Sequence, residues 1–232
     1  MRKRLNKLIF GAHGAEELKS SDSIRHVTKI KNVWNSSQYQ DFGIERFVRL
    51  FLVGSKILFP GVYIEELSYN LSLHMQKIIG EFYVIFKTLM PFVILYFGLW
   101  DHYWLYIFNI YLLLETFLHI FHKIFLPEHD RGRMPNRSII LLFFNFIEVI
   151  ASFGVIYAAG DYLNQPVSSW IDALYFSFIT GVTIGFGDFH PVNDDGKILV
   201  MAQVMSTLAF LFLFFNFFAP RYENPVERHP NP

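Results

Sequence analysis

Six consecutive residues carry the most specific chemistry in this 232-residue chain: Thr183, Ile184, Gly185, Phe186, Gly187 and Asp188. The two glycines alternate with larger residues, so the backbone has access to conformations that side chains forbid. A strand built that way can turn successive carbonyl oxygens toward one axis, and rings of such carbonyls replace the water shell of a dehydrated cation. Thr183 adds a hydroxyl at the inner end and Asp188 a carboxylate at the outer end. A lone Gly-x-Gly is weak evidence. The hexapeptide gains specificity from the aromatic between its glycines and from its flanks, a short amphipathic segment (Trp170 to Val182) and a long apolar run (Ile198 to Ala219).

Such a strand needs elements that hold it at membrane depth. Hydrophobic residues make up 53% of the chain and Phe alone numbers 27, which argues for an integral membrane protein rather than soluble domains. A helix of about 20 apolar residues crosses the hydrocarbon layer. Four stretches meet that length: Phe82 to Trp100, Tyr103 to Phe125, Ser138 to Ala159, and Ile198 to Ala219, ended by Pro220. The fold class is therefore an all-α integral membrane protein with four transmembrane helices, plus a re-entrant helix over Trp170 to Val182 capped by Ser168 or Ser169. Only Asp101 and His102 separate the first two spans, so these form an antiparallel hairpin. The Trp and Tyr residues at its turn form an aromatic belt. Ala151, Gly154 and Ala158 make a small-residue stripe suited to close helix contact.

Before the hairpin, Ile44, Phe47, Val48, Phe51 and Leu52 recur at helical spacing within 42–64, with Arg46 and Arg49 elsewhere on the wheel. That pattern predicts an interfacial helix on the cytoplasmic leaflet, followed by a second amphipathic piece from Glu65 to Ile79. The expected organisation is a cytoplasmic N-terminal region (1–80), a transmembrane hairpin (81–126), a cytoplasmic loop (127–137), a pore module (138–219) and a short cytoplasmic tail (220–232). Lys and Arg in the N-terminal region, the 126–137 loop and the tail place both termini in the cytoplasm of a plasma or bacterial inner membrane. The basic N-terminus lacks the apolar core of a signal peptide. Zero net charge gives no field for nucleic acid, and the absence of cysteine excludes disulfides and thiolate sites.

From Ser138 to Ala219 the order is span, short helix, glycine signature, span, and it resembles the pore module of potassium channels. The run Ala173-Leu174-Tyr175-Phe176-Ser177-Phe178-Ile179-Thr180 looks closest to the two-transmembrane and two-pore-domain branches. The resemblance covers about the last third of the chain, and the first 137 residues carry no such signature. It implies a homotetramer, because one chain supplies one strand of the carbonyl ring. It also implies potassium ions as the bound species, with no organic cofactor and no catalytic cycle. Thr183 would then give a hydroxyl and a carbonyl, and Ile184, Gly185 and Phe186 carbonyls; Gly187 lets the strand leave the axis, and Asp188 sits behind the outer mouth. Two positions depart from many relatives. Ile179 stands where a glutamate or valine is frequent, and an isoleucine cannot hydrogen-bond Asp188, which leaves Tyr175 as its expected partner. Thr207 stands where a hinge glycine is frequent, which points gating toward the filter. The same alignment turns Leu208, Leu211, Phe215 and Asn216 toward the cavity, with Phe215 either a dewetting gate or a packing residue.

Lys87, Glu115 and Glu148 fall inside predicted spans, where an unpaired charge is costly, so Lys87 is expected to pair with a glutamate and latch the hairpin to the pore helices. Glu115, His119 and His122 recur at i, i+4 and i+7, a spacing that can ligate a metal ion or simply form a polar face near the interface. Arginines at every third position, the mark of a voltage sensor, are absent from Phe82 to Phe125. The resulting expectation is a potassium-selective channel in the lipid bilayer without a voltage sensor, with any cytoplasmic regulator acting on the N-terminal region. Its rivals are a weakly selective cation channel, a transporter subunit (which carries four pore repeats in one chain, against the single one here), and a membrane metalloprotein using Glu115, His119 and His122.

Overall fold

The computed structural model describes residues 44–55, 59–61, 63–64, 73–125 and 135–218. Among these the fold is helical: α1 (Ile44–Ser55), α2 (Leu73–Tyr96), α3 (Tyr103–Phe125), α4 (Pro135–Ala158), α5 (Trp170–Gly181) and α6 (Asp194–Phe218). Helices α2, α3, α4 and α6 are long and apolar enough to cross a membrane. The expected cytoplasmic loop and tail fall almost wholly outside the described residues, as does most of the N-terminal region.

The amphipathic pattern near residue 44 does form a helix, and α1 packs on α3. Its Leu52 is buried, whereas Phe47 and Phe51 stand exposed on the chain's surface. Helix α2 begins nine residues before the expected Phe82, so the described part of the second amphipathic piece continues into the span. Polar Gln76, Lys77 and Glu81 hide this continuity in the sequence. Arg137 explains it physically: its Nε donates to Glu81 Oε1 at 2.5 Å and its Nη2 to the Lys77 carbonyl at 2.9 Å, which fixes this turn of α2 to the start of α4. The span ends at Tyr96, earlier than Trp100, because Gly98 adopts a left-handed φ of 64° and a 3-10 turn (Leu99–Asp101) follows. Helix α6 starts at Asp194, four residues before the apolar run. Asn193 accepts the Gly196 amide at 2.7 Å there, as an N-cap does, and Asp194 and Asp195 occupy the first turn.

Helix α4 is the centre of the packing, touching α2, α3, α5 and α6. Its small-residue stripe is what lets the others approach. A Cβ on Gly154 would lie 3.4 Å from Leu95 of α2 and 3.5 Å from the Ala173 carbonyl of α5, so this position separates the hairpin from the pore module by one van der Waals layer.

A buried ionic cluster joins the same elements. Lys87 of α2 lies 3.6 Å from Glu115 of α3 and 3.7 Å from Glu148 of α4. Its Nζ donates to Thr116 Oγ1 at 2.6 Å, and the Thr116 hydroxyl in turn sits 2.9 Å from both Glu148 oxygens. Tyr83 donates its hydroxyl to Glu115, and the Gly61 amide donates to the other Glu115 oxygen at 3.2 Å. The expected latch is therefore present, and Lys87 serves both glutamates. Removing one partner of a buried ion pair strands the rest. Lys87→Met should lower stability by about 3 kcal/mol or more, read as a lower thermal midpoint of the purified protein in detergent. Adding Glu148→Gln should recover part of that loss; an unshifted midpoint in the single variant would show that the cluster contributes nothing.

Candidate ion-conduction site

The site begins at the end of α5. Ser169 accepts the Asp172 amide at 3.2 Å while Asp172 accepts the Ser169 amide at 2.9 Å, a reciprocal cap that starts the helix at Trp170. At the other end the chain does not simply uncoil. The Thr183 amide donates to the Thr180 carbonyl at 3.1 Å, and the Ile184 and Gly185 amides both donate to the Ile179 carbonyl, at 2.8 and 3.2 Å. Ile179 thus anchors the strand through its backbone, whatever its side chain.

The strand itself alternates in handedness. Thr183, Gly185 and Gly187 have φ of 59°, 55° and 83°, while Ile184 and Phe186 between them keep negative values. Residues of opposite hand in succession turn their amides to one side and their carbonyls to the other. The amides of 183–185 are tied to the pore helix, and among the described residues no hydrogen bond is made to the carbonyls of 183–187. A β-branched residue with positive φ is a conformational outlier, so Thr183 holds local strain at the site. A Cβ on Gly185 or Gly187 would meet nothing within 4 Å in the single chain. Backbone conformation, not space, therefore calls for glycine at both.

Beyond the strand, the Asp188 side chain lies close enough to Tyr175 to act on its phenol. That carboxylate raises the phenol above its usual pKa, with burial adding to the effect. A second support was not foreseen. The Asp188 carbonyl accepts from Asn164 Nδ2 at 3.1 Å and Gln165 Nε2 at 3.4 Å, and Asn164 Oδ1 accepts the His190 amide at 3.0 Å. The stretches 162–164 and 190–192 run antiparallel, with Asn164 donating to His190 and Val192 to Tyr162, each at 3.0 Å. Polar residues in a loop gave no periodic signal that would have revealed this bracing.

Residues 138–224 match a family model described as an ion channel. Over these residues the last third of the chain is similar to that ion-channel family. Over 70 residues the chain is 36% identical to two pore potassium channel a of rice, covering 30% of this chain and 20% of that protein. It is 41% identical over 61 residues to potassium voltage-gated channel subfamily A member 5 of the ferret Mustela putorius furo, covering 26% and 10%. To the hyperpolarization-activated voltage-gated potassium channel of Methanocaldococcus jannaschii it is 35% identical over 43 residues, covering 18% and 21%. The chain thus spans about a fifth or less of the length of these curated relatives. No solved structure matches it.

The matched region is held together beside the 183–187 strand by a buried polar chain that crosses α4, α5 and α6. Tyr157 of α4 donates to Gln203 Oε1 at 2.9 Å, and Gln203 Nε2 of α6 donates to the carbonyl and hydroxyl of Ser177 at 2.7 and 2.8 Å. Ser177 of α5 donates to the Ile150 carbonyl of α4 at 2.5 Å. Gly181 closes the set, since a Cβ there would come within 3.2 Å of both Gln203 Nε2 and Ile150. A lone Gln in an apolar run looks like a blemish in the sequence; here it sets the distance between α5 and α6.

Along α6 the side chains of Leu208, Leu211 and Phe215 are exposed, and Asn216 follows on the same helix. Thr207 does not interrupt it: its hydroxyl donates to the Gln203 carbonyl at 3.1 Å within a continuous helix. The metal grouping is a correction. Among the described residues no three His, Cys, Asp or Glu side chains come together to hold a metal ion, and Glu115 is instead occupied by Tyr83, Gly61 and Lys87. Shared helical spacing put Glu115 with His119 and His122, but the partners of Glu115 lie on neighbouring elements.

Replacing Gln203 by Leu would leave the Ser177 hydroxyl and carbonyl without their buried donor, an unsatisfied state that costs about 1–3 kcal/mol. The thermal midpoint of Gln203→Leu should fall accordingly, and an unchanged midpoint would show that the network is not structural. Tyr175→Phe removes only the phenolic hydroxyl on which Asp188 acts, so it should leave the midpoint nearly unchanged while shortening the time over which channels stay conducting in bilayer recordings.

Proposed function

We propose that the chain is the subunit of a homotetrameric, potassium-selective channel that conducts passively and has no voltage-sensing helix. The observation that carries this reading is the alternating hand of Thr183 to Gly187, with amides tied back to α5 and carbonyls unengaged. Four such strands about an axis would stack rings of oxygens that take the place of water around a potassium ion. The uneven burial of the spans supports a tetramer: 61% of the α4 window is covered within the chain but only 22% of the α6 window. The stripe Met201, Met205, Leu208, Phe212 and Phe215 is exposed along α6 at heptad spacing, where neighbouring copies and the cavity would lie. Lys87, near the middle of α2, is buried between two glutamates and is not free to move with the membrane potential. The exposed carboxylates of Asp161, Asp188, Asp194 and Asp195 would raise cation concentration near the outer mouth. With α6 continuous through Thr207, gating is assigned to the filter rather than to a bend in the inner helix.

The deciding experiment is the reversal potential of purified protein in a planar bilayer, with potassium on one side and sodium on the other. A shift toward the potassium equilibrium potential, lost in Gly185→Ala because Ala resists the left-handed φ, is the expected result. A reversal near zero with clear current would identify a weakly selective cation pore instead. Native mass spectrometry should find four chains per particle, and a monomer or dimer would overturn the stated assembly.

A further inference from the structure

We infer that the described N-terminal pieces, Ile44–Ser55 and Phe59–Gly61, are embedded in the bilayer and form a regulatory latch that grips the channel module through Glu115. The argument is one of depth. Helix α3 runs from Tyr103 to Phe125, so Tyr111 and Glu115 lie within a turn of its midpoint, about 12 and 15 Å from the nearer end at 1.5 Å per residue. The Phe59 ring packs on Tyr111 with centroids 5.3 Å apart, and the Gly61 amide reaches Glu115 Oε1 at 3.2 Å. Tyr83 and Glu148, which belong to the same cluster, also sit near the middle of α2 and α4. A segment lying flat on the cytoplasmic leaflet would not bring Phe59–Gly61 to the centre of three membrane spans. A backbone amide at that depth needs a partner inside the protein, and the Glu115 carboxylate supplies it.

The exposed faces agree. Phe47 and Phe51 are 73% and 58% exposed on α1 while Leu52 turns inward, an arrangement suited to lipid on one side and α3 on the other. The grip then runs along a continuous polar path. Gly61 binds Glu115, Glu115 pairs with Lys87, and Lys87 pairs with Glu148 on the outer helix of the channel module. The fit is tight at its first contact, since a Cβ on Gly61 would lie 2.9 Å from Glu115 Oε1. Displacement of the N-terminal pieces therefore moves the carboxylate that positions Lys87, and with it the balance of charges behind α4.

Two measurements test this. The chain has no cysteine, so single spin labels can be placed at Phe51→Cys and Tyr63→Cys in liposomes, with Trp104→Cys at the hairpin turn as the interfacial reference. Labels more accessible to oxygen and less accessible to a nickel chelate than the reference are expected; accessibility equal to the reference would overturn the embedding. The regulatory half rests on the channel reading given above. Gly61→Ala should change open probability about 5-fold or more, the lower end of ordinary coupling between sites, without altering the potassium-to-sodium permeability ratio. Tyr83→Phe, which removes the other hydrogen bond to Glu115, should act in the same direction and serves if Gly61→Ala does not assemble. Unchanged open probability in the assembled variant would overturn the latch. Absence of potassium current in the wild-type protein would instead defeat the channel reading, and the spin-label depths would still decide the embedding.

Discussion

The rest of this structure is arranged around one feature: a short piece of backbone between apolar helices that keeps its carbonyls unengaged without collapsing onto its own amides. In hydrocarbon, helices satisfy their backbone by bonding every amide to a carbonyl of the same helix. At Thr183 to Gly187 the amides of the first three residues are sent to Thr180 and Ile179, and alternating handedness keeps the carbonyls on the other side. The reciprocal Ser169–Asp172 cap, the Tyr157–Gln203–Ser177 chain and the Asn164 and Gln165 bonds to Asp188 then hold three sides of the strand. The strained φ at Thr183 persists only because the surrounding structure holds it.

Much of this was legible where chemistry depends on local sequence. The glycine alternation, the Ser169 cap and the bounds of α3 all follow from residues close in the chain or from spacing along one helix. What escaped was the choice of partner across elements. The pairing of Lys87 with a glutamate was foreseen, but not that Glu115 is also held by Tyr83 and the Gly61 amide from other elements. Gln203 and Asn164 have the same character, polar groups whose meaning lies 26 and 24 residues away in the chain. The early start of α2 was hidden for a related reason. Gln76, Lys77 and Glu81 dilute the apolar pattern, and Arg137 compensates from α4.

The two halves of the protein are joined more by electrostatics than by loops. Apolar packing against Gly154 sets how close α2 and α5 come to α4, and that contact is non-directional. The Lys87, Glu115, Thr116 and Glu148 cluster adds direction, since its hydrogen bonds are satisfied in one relative placement of three helices. Close packing thus fixes distance, and the buried charges fix register.

The same cluster has a consequence for how the chain enters the membrane in the first place. Inserted alone, α2 would carry a lysine, and α3 and α4 a glutamate each, into hydrocarbon, at a cost of about 2.5–3.5 kcal/mol per charge near the centre for Lys and of that order for an acidic residue. Those costs fall only when the charges meet, and Lys87 and Glu148 are separated by the whole of α3 and the loop after it. During synthesis the first hairpin can pair Lys87 with Glu115, and the cluster is completed by Glu148 and its bond to Thr116 once α4 emerges. A chain interrupted before that helix would present a protein-lined polar seam to the lipid, a natural mark by which quality control could recognise an incomplete subunit.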